Sequence, residues 1–147
     1  MIQNINFLRE IFKKNRDRPF IICATDNSLF TYGNIEHLSL KLATYLHSNG
    51  VKKGDYIGIL LPNCIEYVII YFACMQLGAI AVPINQRLHA KEIDGLLSEI
   101  PITLFFVADN LKHLLADSNH LIKHVTLLKH KDPDFLNSIA TLEPYND

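Results

Sequence analysis

Residues 54–85, GDYIGILLPNCIEYVIIYFACMQLGAIAVPIN, decide the fold. Tyr56 to Leu61 is a short run of β-branched and apolar residues bounded by Gly54 and Pro62, too short for a helix. It predicts a strand buried on both faces. A helix follows, with Asn63 placed to accept a backbone hydrogen bond as N-cap and Glu66, three residues on, placed to reach back as in a capping box. Tyr67 to Leu77 is apolar nearly all round, so this helix is expected to lie sandwiched rather than on a surface. Gly78 can take the left-handed conformation that ends it. Ala79 to Val82 then reads as a second strand stopped by Pro83. Strand, helix, strand in this order makes a right-handed parallel crossover, the unit of an α/β sheet.

Working upstream, Ile5, Leu8, Ile11 and Phe12 fall on one face at helical spacing, which predicts a helix over Asn4 to Lys14. Phe20 to Ala24 reads as a strand, and Asp26-Asn27 as a tight turn into Leu29 and Phe30, giving a hairpin. Thr31 caps a long helix whose stripe is Ile35, Leu38, Leu42, Tyr45 and Leu46, with Gly50 at its end. Downstream, Ile93, Leu96, Leu97 and Ile100 mark another amphipathic helix opened by His89, a poor cap, and Gly95 weakens it by up to about 1 kcal/mol relative to Ala. Thr103 to Val107 is a third buried strand, Leu111, Leu114 and Leu115 mark a brief helix, and Val125 to Leu128 a further strand. Beyond Lys129 the chain turns polar, with Asp134 as the cap of one turn holding Phe135 and Ile139. Alternating short apolar strands and helices predict a three-layer α/β fold, a mainly parallel sheet with helices on both faces. Residues 1–128 read as one α/β unit and 129–147 as a polar tail.

Composition narrows the function classes. Fourteen Lys and Arg against fifteen Asp and Glu give a net charge of −1, and the basic residues are scattered, so nothing argues for nucleic acid. Cys23, Cys64 and Cys74 are odd in number and sit in apolar runs, which reads as buried thiols in a reducing cytoplasm. The first residues lack the pattern of a secretory signal. Tyr67 to Ile84 carries no charge and approaches the roughly 20 residues of a membrane span. Gln76, Gly78 and Pro83 argue instead for an ordinary helix, so no span is expected.

Sites that carry chemistry are sparse. GVKKG, residues 50–54, has neither the spacing nor the following Lys-Ser/Thr of a phosphate loop. His120 and His124 are four apart, with His113 or His130 as a possible third ligand, but no H-E-x-x-H or paired-Cys spacing supports a metal site, and a solvated polar segment is the better reading. Tyr67 and Tyr71 read as core packing, and His37 and His47 as flanks of a helix stripe.

Three stretches carry a family resemblance: LPNCIEYVIIYFACMQLGAIAVPINQRL from Leu61, LFTYGNIEHLSLKLATYLHSNGVKKGD from Leu29, and HAKEIDGLLSEIPITLFFVAD from His89. Together they resemble the early part of adenylate-forming enzymes, the AMP-binding superfamily of acyl-CoA synthetases, luciferases and non-ribosomal adenylation domains. The resemblance covers roughly Arg18 to Asp109. It implies an N-terminal subdomain of a ligase that uses ATP and magnesium to convert a carboxylic acid to an acyl-adenylate and then a thioester with CoA. The family's phosphate loop, Thr-Glu motif, ribose-binding Asp and catalytic Lys come later and map onto nothing here, so no catalytic residue is expected and no cofactor should be held tightly. Arg87, in the turn Asn85-Gln86-Arg87, and Lys112 come forward as contacts to the nucleotide-end phosphates of CoA, since a guanidinium or ammonium suits a phosphate. The competing reading of Arg87 is a surface residue paired with Glu92 or Asp94. Val before Pro83 and Asn after Ile84 favour an acyl- or aryl-CoA ligase over an amino-acid adenylation domain. An adenylation domain or fatty acyl-AMP ligase fragment, and a free-standing, non-catalytic binding module, remain the alternatives. Apolar surface left open without the rest of such an enzyme predicts that the isolated chain self-associates.

Overall fold

The computed structural model describes residues 2–116, 118, 122, 124–129 and 133–146. In chain order these form α1 (Ile2–Lys14), β1 (Pro19–Ile22), β2 (Leu29–Thr31), α2 (Tyr32–Ser48), β3 (Tyr56–Leu60), α3 (Ile65–Leu77), β4 (Ile80–Pro83), α4 (Ala90–Glu99), β5 (Ile102–Ala108), a 3₁₀ helix (Asp109–Leu115), β6 (His124–Leu128) and α5 (Pro133–Ala140). The sheet runs β4-β3-β5-β6 with every pairing parallel, and β1 and β2 form a separate antiparallel hairpin.

Both faces of the sheet are covered, which is why its strands read as continuous apolar runs rather than alternations. Ile57, Ile59, Leu104 and Phe106 point into the larger core with α1, α2, α3 and α5. Leu60, Phe105 and Val107 point the other way, into a smaller core with Ile93 and Leu97 of α4 and Leu115 of the 3₁₀ helix. The expected three layers are therefore present. At the free edge, β6 buries Leu128 but leaves Val125 and Leu127 about two-fifths exposed.

Local chemistry accounts for most element ends. The Asn34 amide donates to Thr31 Oγ1 at 3.2 Å, and the Thr31 amide donates to Asn34 Oδ1 at 2.9 Å, so two donors that the first turn of α2 would leave orphaned are satisfied together. Gly78 closes α3 in the left-handed region at φ 72°. The His89 amide donates to Glu92 Oε2 at 2.8 Å, the return half of a capping box. Space around Gly95 is open, and its cost is that of backbone freedom alone.

Four expectations are corrected. Asn63 does not cap α3: Cys64, extended at φ −145° and ψ 168°, is the N-cap and makes no side-chain capping bond. The chain stays extended one residue longer after Pro62, which puts Cys64 rather than Asn63 at the cap position, and Glu66 is buried. The hairpin forms as expected, but its tight turn falls at residues 24–26, slightly ahead of Asp26-Asn27, with the Asp26 and Asn27 amides both donating to Cys23 O. The Cys23 amide donates to Ser28 O, and Asn27, at φ 56°, sits within a loop that Asp26 Oδ1 braces by accepting from the Ser28 amide and hydroxyl. Leu96 is 42 % exposed, because α4 meets the sheet through Ile93 and Leu97 only. The stretch after Lys129 carries more structure than its weak pattern suggests: α5 sinks Phe135 and Ile139 into the larger core. Its far side is tied to α2, with Thr44 Oγ1 donating to Glu143 O at 2.7 Å and the Tyr145 amide to Leu40 O at 3.1 Å.

Candidate functional site

Four parallel strands place all their carboxyl ends on one edge. The crossover through α3 carries the chain from β3 to β4 over one face, and the crossover through α4 returns it to the far side of β3 over the other. Strand order thus reverses beside β3, and the crevice outside the carboxyl ends at such a switch point is where open α/β sheets bind ligands. Asn63 and Cys64 follow β3 there, Asn85 to Arg87 follow β4, and the 3₁₀ helix with Lys112 follows β5. GVKKG lies at the opposite edge, leading into the amino end of β3, with Gly50 and Gly54 at φ 81° and 89° and the Gly54 amide donating to Gly78 O. It serves a turn and faces away from the crevice.

Arg87 and Lys112 are both exposed on this carboxyl edge. The Arg87 amide donates to Asn85 Oδ1 at 3.0 Å, so the turn is braced by its own asparagine and the guanidinium takes no part in it. The pairing of Arg87 with Glu92 or Asp94 is not found among the described residues, where the ion pair present is Arg16 with Glu36. Glu92 is engaged at the start of α4, and Asp94 Oδ1 accepts from the buried Ser118 hydroxyl at 2.9 Å. Lys112 stands on a 3₁₀ helix anchored by Leu115, which is 1 % exposed. Two strand spacings, roughly 10 Å, separate β4 from β5, so the two cations start from opposite flanks of β3. His120 and His130 lie outside the described residues. His113 and His124 are exposed, and no cluster of three metal-ligating side chains occurs among the described residues.

A cavity of about 750 Å³ opens beside the same edge, between the hairpin and the first turn of α3. Ile21, Phe30, Ile65, Val68 and Leu136 supply its apolar wall, with Cys23 and Cys64 among its lining. Sequence reading missed it because the lining comes from three separate stretches. Burial pushes the Cys64 thiol up to about 12, and its hydrogen bond to the Glu66 carboxylate adds to the rise by favouring the protonated form. Cys74, fully buried in α3, is likewise held at about 12 by desolvation. Burial also raises Tyr67, with Tyr71 nearby adding to it.

These thiols make stability fall in alkali. Their folded pKa lies above the ordinary value of 9.0, so between pH 9 and 12 the unfolded chain releases protons that the folded chain keeps. Their contribution is intact below pH 9 and declines as pH rises through that window. Cys74 accounts for about 1 kcal/mol at pH 10, and half-buried Cys64 for less because water screens it. Urea midpoints at pH 7.5 and 10 check this: the fall should be shallower in Cys74→Ala, and an equal fall in both proteins would contradict it.

The parallel β4-β3-β5-β6 sheet with helices on both faces and a crevice at its carboxyl edge is a doubly wound α/β arrangement. The chain belongs to the AMP-binding enzyme family, whose sequence profile matches residues 8–146. It is 35% identical over 107 residues to the acyl-CoA ligase SID4 of Ajellomyces capsulatus, an alignment covering 69% of this chain and 18% of that protein. It is 39% identical over 69 residues to the long-chain-fatty-acid CoA ligase FadD13 of Mycobacterium tuberculosis, covering 47% of this chain and 14% of that one. The crystal structure of the N-terminal domain of FACL13 from Mycobacterium tuberculosis superposes with a TM-score of 0.83 over 97% of this chain and 37% of that one, at 22% identity, a likeness of fold. The chain thus spans less than a fifth of the length of these curated relatives. No helix among the described residues is long and apolar enough to cross a membrane.

Proposed function

We propose that this chain forms the opening α/β segment of an ATP-dependent ligase that joins a carboxylic acid to CoA through an acyl-adenylate, with magnesium on the triphosphate. The observation that carries this reading is the family match across residues 8–146 together with relatives named acyl-CoA ligases. Residues 1–128 supply framework and the rim of the crevice, and residues 129–147 lead on toward the rest of the enzyme. No group here is assigned to catalysis. The free thiols Cys23, Cys64 and Cys74 fit a reducing cytoplasm. Isolated, the 147-residue chain should show no carboxylate-dependent pyrophosphate exchange, and measurable exchange would refute the scaffold role.

In this reading Arg87 and Lys112 contact CoA phosphates from the two flanks of β3. A charge-assisted hydrogen bond is worth about 1.5–3 kcal/mol, so Arg87→Ala in the ligase carrying this segment should raise the KM for CoA by about tenfold or more. The KM for ATP should stay put, and an unchanged KM for CoA would remove Arg87 from the site. The exposed pairs Val125 with Leu127 and Ile22 with Leu29 leave apolar surface open, so the isolated chain forms dimers or larger species. A single monomeric boundary in sedimentation at high concentration would contradict that.

A further inference from the structure

Gln76 is an anomaly in α3. It sits in a largely apolar helix, is 2% exposed, and its amide nitrogen has no hydrogen-bond partner among the described residues. A buried donor left unpaired is costly, so the side chain needs a physical account. What it holds is Arg9 of α1, whose Nε–H donates to Gln76 Oε1 at 3.3 Å. That bond fixes the guanidinium and leaves its two terminal nitrogens without a hydrogen bond or ion pair among the described residues. Arg9 lines a cavity of about 470 Å³ together with Lys13 and Arg16. Arg16 is seated as well: its carbonyl accepts from the Gly33 amide at 2.8 Å, and a Cβ on Gly33 would come within 2.8 Å of Arg16 Cγ. Glu10 and Glu36 share the lining, but the ion pair formed is Arg16 with Glu36 at 3.9 Å. Arg9 and Lys13, four residues apart and so on one face of α1, have no carboxylate partner among the described residues. Lys13 also suits the carboxyl end of its helix, so Arg9 and the glutamine behind it carry the weight.

We infer that this cavity is an anion site for a small phosphate-bearing solute, its phosphate or pyrophosphate group seated on Arg9 and Lys13 with Arg16 beside them. A guanidinium held at Nε presents its terminal N–H groups as a fork, the geometry that suits phosphate oxygens. Gln76 is then a positioning residue, buried at a cost so that Arg9 is already oriented before the anion arrives. The lining shares no residue with the rim of the carboxyl-edge crevice, so the site is separate from the CoA contacts assigned to Arg87 and Lys112.

Sodium pyrophosphate titrated into the 147-residue chain and followed by phosphorus NMR tests this. Binding should saturate at one site per chain, and Arg9→Gln should weaken it by about tenfold or more, with Lys13→Gln serving if that variant folds poorly. Gln76→Leu separates positioning from mere structure. It removes the unpaired donor, so its urea midpoint should stay or rise while pyrophosphate binding falls several-fold; binding unchanged in a folded Gln76→Leu overturns the positioning role. Lys52→Gln, an exposed lysine in the GVKKG turn, should leave binding as it was. No saturable binding at millimolar pyrophosphate, or equal losses in Arg9→Gln and Lys52→Gln, overturns the site. Capture by vesicles of phosphatidic acid in phosphatidylcholine, without binding of soluble pyrophosphate, overturns the small-solute assignment.

Discussion

Gly58→Val should unfold this protein or leave it barely stable. Gly58 lies on β3, paired with Val82 on one side and Phe105 on the other, and a Cβ built on it would come within 2.4 and 2.5 Å of the Phe105 ring. That ring is wholly buried, and β3 is held in register by hydrogen-bonded neighbours on both flanks, so neither ring nor strand has anywhere to go. Overpacking of this kind costs about 1–3 kcal/mol for one methyl, and a branched side chain should exceed the upper end. Against the roughly 5–15 kcal/mol of a whole domain this is a large share. Urea denaturation of Gly58→Ala, where the protein survives, measures the effect. Combining it with Phe105→Leu should recover part of the loss, since the smaller side chain vacates the clash, and additive losses would show that the two positions do not compete for space.

Phe12→Ala is expected to cost about 3–5 kcal/mol, the range for a buried phenylalanine that leaves a cavity behind. Phe12 is 1% exposed, and its ring meets Phe20, Tyr32 and Phe72 edge-on with centroids 6.2, 6.0 and 5.3 Å apart. One side chain of α1 therefore ties together the hairpin, the start of α2 and the middle of α3. Edge-to-face pairs add about 0.5–1.5 kcal/mol beyond area, which places this site toward the upper end of the range. Phe12→Leu should recover much of the loss, as it fills most of the space without the ring contacts. If Phe12→Ala shifts the urea midpoint no more than a surface change does, α1 is not part of the cooperative fold.

The β3–α3–β4 unit was legible because each of its signals is local: a strand too short to be a helix, an apolar helix, a left-handed glycine and a proline. Legibility failed where a neighbour decided. Asn63 and Glu66 satisfy the pattern of a capping box, but the extended backbone at Cys64 starts the helix one residue later and burial claims the glutamate. Phe135 and Ile139 gave a weak signal over one short helix because their partners lie in β5 and other distant elements, Phe106 among them. Arg87 and Lys112 were legible as candidates from motif position. The cavity lined by Asn63 and Cys64 was not, as its walls meet only after the hairpin folds back onto α3.

By itself the amino-acid order determined the alternation of strands and helices and the parallel sense of the sheet, because periodicity, caps and breakers act over a few residues and parallel strands demand crossovers, while the family came from the resemblance of whole stretches. Tertiary structure alone decided the strand order β4-β3-β5-β6, the split of the core between two faces, the reversal that opens the crevice, and the meeting of hairpin and α3 around a cavity. Those depend on which surfaces bury each other across long stretches of chain, a choice made by packing and water exclusion that no short window contains.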